Sequence, residues 1–210
     1  MRVALIAVIA ALSLSACSAE QPKPAPTPQA SAPVIVPGRP GEVARTVGPS
    51  EAATLVPSPT ANAADVTYVQ KMVVHHRQAL DMASLAPTRA EHVRLKSLAS
   101  RIKDSQGPEI QFMISWLQQQ GMRAPEHHAE HDTMPGMASP EQMEALKAAS
   151  GKDFDRLFLQ LMIAHHRGAL TMSEQVLVSG SHQRIEELAN DVSATQSAEV
   201  RRMQEMQAEL

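Results

Sequence analysis

The chain is 210 residues long, enough for one sizeable core, and its 19 Lys and Arg against 22 Asp and Glu leave a formal net charge of -3. That balance lacks the basic excess selected by phosphate backbones, so nucleic acid is not an expected partner. Five aromatic residues are too few for stacking platforms, and 9 Gly with scattered turn signals give little support for a many-stranded sandwich or barrel, which leaves a helical reading.

Residues 1–16 combine Arg2 with an apolar run and end in Leu14-Ser15-Ala16 before Cys17. This is the pattern of an export signal with a lipobox, in which Cys17, the chain's one cysteine, becomes the lipidated new N-terminus and the membrane anchor. The apolar run is too short to span a bilayer. A plain secretory signal with an incidental Cys17 is the alternative. Residues 18–64 hold ten of the 15 prolines with no apolar periodicity and read as a disordered or semi-rigid tether.

From Asp65 onward the chain repeats itself at an offset of 90 residues. Asp65, Tyr68, Gln70, Met72, His75, His76, Arg77, Ala79, Leu80 and Met82 return as Asp155, Phe158, Gln160, Met162, His165, His166, Arg167, Ala169, Leu170 and Met172. The register continues through His92/His182, Gln106/Gln196, Glu109/Glu199 and Met113/Met203. Each copy reads as two helices with alternating three- and four-residue apolar spacing, hence as a bundle hairpin. The first helix is expected to stop near Ala86 before Pro87, with Thr88-x-x-Glu91 as a capping box opening the second and Gly121 ending it. The second copy turns at Gly180-Ser181. Gly107-Pro108 predicts a kink that Ser197-Ala198 does not.

Hairpins over 65–120 and 153–210 are joined by a linker over 121–152, with a short helix expected after Ser139-Pro140-Glu141-Gln142. A linker of that length can cross the bundle, so the predicted fold is all-α: a ferritin-like up-down-down-up four-helix bundle.

The chemistry sits on the repeated stripe. Met72 and His75, like Met162 and His165, lie one turn apart, with His76 and His166 alongside and Met82 and Met172 two turns further on. Folded about a two-fold, four imidazoles and up to four thioethers are expected level in the bundle centre, opposite Ala79, Ala99, Ala169 and Ala189. Imidazole suits copper, zinc, nickel and iron, and thioether favours Cu(I). The bland reading keeps the Met residues as adaptable core filler and the His residues as hydrogen-bonded core polar groups. A second cluster, His127, His128, His131, Met134 and Met137, reads as exposed metal capture or as a solvated loop of incidental affinity.

The repeated Met-x-x-His-His-Arg-x-Ala-Leu-x-Met, followed by Gln-x-x-Glu-(Ile/Val)-x-x-Met, resembles the domain-of-unknown-function 305 family, which includes CopM-like periplasmic copper-binding proteins. The resemblance covers about residues 65–206. It implies the ferritin-like bundle and, for some members, copper binding in resistance or trafficking. Carried over residue by residue, the implied ligands are Met72, His75, His76, Met82, Met162, His165, His166 and Met172.

Glu109 and Glu199 also fall on apolar stripes. Counted from a turn at Pro87, Glu109 is level with Asp65 and about 15 Å from His75, so the expected partners are His182 for Glu109 and His92 for Glu199 across the hairpins. Arg77 and Arg167 are expected to be solvated. The function these features point to is an extracytoplasmic, lipid-anchored protein binding metal, copper first, for sequestration or delivery, and not an enzyme. A di-iron oxidase on this fold would need Glu-x-x-His pairs, of which the sequence has none. The alternative is a structural or interaction module without metal.

Overall fold

A computed structural model describes residues 34–36, 41, 43–48, 51, 60–126 and 134–210. The described residues divide between two units, separated between residues 56 and 57. In the first unit a short ladder pairs β1 (Val34–Val36) antiparallel with β2 (Arg45–Val47), with Ile35 opposite Thr46. The Pro-rich composition gives no warning of it. β-branched residues fill both strands except at Arg45, and they suit a pleated backbone.

Among the described residues the second unit holds five helices: α1 (Ala63–Arg89), α2 (Val93–Gln119), α3 (Pro140–Ala148), α4 (Gly151–Ser179) and α5 (Gln183–Glu209). α1 and α2 form one hairpin and α4 and α5 the other, and the hairpins meet mainly through α1 and α4, while α2 and α5 scarcely touch. The start of α1 lies at the end of α4, where Asn62 Nδ2 donates to the Ser179 carbonyl at 2.8 Å. The end of α1 lies at the start of α4, where Ala90 bridges to Gly151. α1 and α4 are therefore antiparallel, and the bundle is the expected up-down-down-up arrangement with a long crossover.

Local chemistry sets the ends. Asn62 caps α1 in a capping box with Asp65, and Ser139 caps α3 in one with Gln142, with Pro140 in the first turn as the sequence suggests. Gly121, at φ +73°, follows α2, a left-handed position that favours glycine. α1 differs from expectation: it runs through Pro87 to Arg89. Pro87 forfeits one main-chain bond to Ala83 in what is already the last turn, and the Ala90 N–H closes that turn on the Ala86 carbonyl at 3.0 Å. Thr88 does not cap α2; its hydroxyl donates back to Leu85, and His92 is the cap, its Nδ1 accepting from the Arg94 N–H at 3.2 Å. The turn thus centres near Glu91, about four residues later than Pro87 implies. α2 carries Pro108 without interruption.

Each hairpin is braced by the other through a buried carboxylate. Asp65 accepts main-chain N–H bonds from Ser181 and His182, and Asp155 accepts them from Glu91 and His92. These aspartates make the cross-braces expected of Glu109 with His182 and Glu199 with His92, neither of which forms.

The core consists of two apolar clusters. One is built on Ala79–Ala86 of α1 with Ala90 just beyond it, Phe154–Ile163 of α4 and the facing residues of α2, α3 and α5, and contains Met82, Ala99, Met162, Met203 and Met206. The other contains Tyr68, Met72, Met113, Trp116, Ala169, Met172 and Ala189. Every long helix passes between the two through polar residues: His75 and His76 on α1, Gln106 and Glu109 on α2, His165 and His166 on α4, and Gln196 and Glu199 on α5.

Candidate metal centre

The middle of α1 and the middle of α4 bring the two His pairs together. All four imidazoles are fully buried, and the His75 and His165 rings are in contact, with centroids 3.7 Å apart and planes tilted by 35°. The predicted juxtaposition of His75, His76, His165 and His166 is therefore present. The thioethers are arranged differently from expectation. Met72 and Met172 fall in one apolar cluster and Met82 and Met162 in the other, so they flank the His layer on both sides instead of lying level with it. Antiparallel packing of α1 and α4 forces this, because a step toward the end of one helix is a step toward the start of the other. Met72 and Met162 remain one turn, about 4.5 Å of rise, from His75 and His165.

Each ring has its own environment. His76 Nε2 lies 2.7 Å from Glu109 Oε2, and His166 Nε2 lies 2.7 Å from Glu199 Oε2. The glutamates thus belong to this layer, contrary to the register counted from Pro87. With the turn at Glu91, Glu109 sits only about three residues past the level of His76. Its side chain leans back toward the start of α2 and closes the gap. His75 Nε2 donates to the Pro135 carbonyl at 3.2 Å. His165 has no hydrogen bond at either ring nitrogen. Burial holds the His75 pKa down to about 3, reinforced by the nearby His76, with the Pro135 carbonyl acting in the opposite direction. Burial likewise keeps His165 well below the usual imidazole range, with His75 adding to the effect. Both rings are neutral at pH 7 and available as lone-pair donors.

The layer is polar beyond what it can satisfy. Among the described residues, the buried side-chain nitrogens and oxygens without a hydrogen-bond partner include Nδ1 of all four histidines, His165 Nε2 and both amide atoms of Gln106 and Gln196. Outside the layer the same condition holds only for Trp116 Nε1 and His182 Nδ1, whose rings pack edge to face at 5.4 Å. Buried polar atoms are normally paired, and concentrated exceptions in one layer fit a bound ion. Among the described residues no three His, Cys, Asp or Glu side chains converge as a ready cage, so an ion here would draw on imidazole together with the flanking thioethers.

The crossover seals this layer from one side. Gln78 grips Ala138 in both directions, its amide donating to the carbonyl at 2.9 Å and its carbonyl accepting the N–H at 2.7 Å. Gly136, at φ +77°, lies directly on α4, and a Cβ on Gly168 would stand 1.9 Å from the Pro135 oxygen. Met134 is buried beneath this segment and Met137 is half-buried, so neither is the exposed capture residue expected. His127, His128, His131 and Cys17 lie outside the described residues. Arg77, expected in solvent, is half-buried and donates to the Pro125 carbonyl at 2.7 Å, while Arg167 is exposed as expected. Gln106 and Gln196 were legible as polar interruptions of an apolar stripe repeated in both copies; nothing in the sequence marks Pro135.

None of the curated proteins matches the chain. Solved structures do. A DUF305 fragment from Deinococcus radiodurans is 35% identical, covering 72% of this chain and all of its own, with a TM-score of 0.67. A DUF305 protein from Streptomyces coelicolor, proposed to be secreted, is 29% identical over 70% of this chain and 93% of its own, with a TM-score of 0.63. CopM in its Cu(I)-bound form is 32% identical over 68% of this chain and 94% of its own, with a TM-score of 0.58, and CopM has also been solved with Cu(II), with Ag and in the apo form. The family model described as "Domain of unknown function (DUF305)" matches residues 65–207, and the chain belongs to that family.

Proposed function

We propose that this chain is an extracytoplasmic, lipid-anchored protein that binds copper as cargo, through His and Met, for sequestration or delivery, and that it is not an enzyme. The observation that carries the reading is the layer of four buried imidazoles whose Nδ1 atoms have no partner. His75 and His165 supply two neutral donors in contact, and Met72 and Met162 supply soft donors one turn away. Zn(II) in structural sites takes four donors in a tetrahedron, whereas thioether ligands select Cu(I), so the donor set favours the monovalent ion. CopM, with bound Cu(I), Cu(II) and Ag at about a third of positions identical, supports the same direction. The export signal and Cys17 support an anchored location outside the cytoplasm, and no helix among the described residues is long and apolar enough to cross a membrane.

The test is titration of the purified full chain with Cu(I) under a competing chelator, beside a variant with Ala at 75, 76, 165 and 166. Tight binding by the wild type and its loss in the variant is the expected result; equal binding by both refutes the site. A second reading, a helical module without metal, is favoured by the lack, among the described residues, of a three-residue His, Cys, Asp or Glu cage. It predicts a melting temperature unmoved by Cu(I), Cu(II) or Zn(II), because a ligand that binds only the folded state must raise stability.

A further inference from the structure

The pairing of each second histidine with a glutamate, Glu199 buried and Glu109 half-buried, engages Nε2 of the ring and leaves Nδ1 without a partner. A purely structural account is weak. A buried ion-pairing couple is commonly no better than apolar residues of the same volume, because desolvation offsets the attraction. Here the arrangement also leaves Nδ1 of the same ring buried and unpaired, a further destabilising feature, and does so in both repeats. One property follows from the geometry alone: a carboxylate oxygen accepts, so the hydrogen of the ring sits on Nε2 and the lone pair on Nδ1.

We propose that Glu109 and Glu199 are positioning residues that hold His76 and His166 in the Nε2–H tautomer, so that both present Nδ1 to a metal ion in the layer. The metal half of this statement rests on the copper-binding reading above. His75 reaches the same tautomer by another route, because the Pro135 carbonyl can only accept from its Nε2. Three rings are therefore held with the hydrogen on Nε2 and the lone pair on Nδ1, two by glutamates and one by the crossover. His165, unbound at both nitrogens, is the adjustable donor.

The experiment uses the full chain, labelled with nitrogen-15 and free of metal. Long-range proton–nitrogen correlation of the imidazoles is expected to place the hydrogen of His76 and His166 on Nε2. In the Glu109→Leu/Glu199→Leu variant those rings become tautomer mixtures, and Cu(I) affinity falls about 10–100-fold, the range for lost carboxylate partners of ligating histidines. In Glu109→Gln/Glu199→Gln the amide carbonyl still accepts, and the Nε2–H tautomer returns. A hydrogen on Nδ1 in the wild type overturns the proposal, as does a folded leucine variant with wild-type tautomer and affinity. Should the leucine variant not fold, the wild-type spectrum and the glutamine variant decide by the same criteria. Absence of Cu(I) binding by a wild type that has the Nε2–H tautomer overturns the copper reading and the metal half, and leaves the tautomer half supported.

Discussion

Removing the Asp65 carboxylate tests whether the hairpins are locked together by buried charge at their turns. Asp65 accepts from the Asn62 N–H at 2.9 Å, from the Ser181 N–H at 3.1 Å and the His182 N–H at 3.2 Å, and from the Ser181 hydroxyl at 3.3 Å. It thereby closes the capping box of α1 and ties the turn between α4 and α5. Hydrogen bonds to a charged group contribute about 1.5–3 kcal/mol each when their donors stay buried. The donors here lie at turns where water replaces part of the loss, so Asp65→Ala is expected to destabilise the fold by about 3–4 kcal/mol. Asp155 has two main-chain donors, and Asp155→Ala is expected to lose about 2–3 kcal/mol. The two sites lie at opposite ends of the bundle, roughly 20 residues or about 30 Å apart along the helix axes, so the double variant should show additive losses. Urea unfolding followed by circular dichroism gives all three values. Single losses below about 0.5 kcal/mol, or a coupling above about 1 kcal/mol, would refute the cross-brace account.

Three further outcomes follow from the same geometry. Gly180→Ala places a Cβ 2.5 Å from Asp65 Oδ1 and 2.7 Å from the Val176 oxygen, and should lower stability by about 1–3 kcal/mol; an unchanged urea midpoint would contradict this. Gly168→Ala drives a Cβ into the Pro135 main chain and should lower stability by a similar ~1–3 kcal/mol while freeing His75 Nε2, read as lost tautomer preference at that ring; retention of both is the contrary result. Because His75 and His165 are held neutral when folded, the unfolded chain binds more protons below the ordinary imidazole pKa of 6.5. Stability is therefore complete above about pH 6.5 and declines as pH falls toward 3, by up to ~1.4 kcal/mol per pH unit for each ring. His75→Leu/His165→Leu should flatten that slope between pH 6 and 4, and equal slopes in variant and wild type would count against buried neutral rings.

The repeat made most of the bundle legible. An unbroken offset of 90 residues places His75 opposite His165 as soon as the hairpins are set antiparallel, and Ser139-x-x-Gln142 announces α3 by its capping chemistry alone. Pro87 misled the register, because a proline in a final helical turn forfeits little, and four residues of error at the first turn moved Glu109 from its histidine to the bundle end; Glu199 followed only because the same reading was carried to the second copy, whose turn at Gly180-Ser181 already held the true register. The thioethers were misplaced for a different reason: spacing along one helix fixes phase but not which side of a layer a residue takes once its partner runs the other way. Arg77 and Gln78 could not be read, since their partners, Pro125 and Ala138, belong to a linker without periodicity.

Gln78 and Gly168 occupy equivalent places in the two copies yet differ, and both differences serve the crossover: one side chain fastens it and one missing side chain admits it. A half-length chain with a single hairpin would have to meet its twin about a symmetric axis to assemble the same four-ring layer, and would fall apart on dilution. The fastened strap makes that encounter intramolecular, so the layer forms at any protein concentration. It also breaks the symmetry of the two halves, because the strap is fastened at Gln78 in one copy and seated at Gly168 in the other.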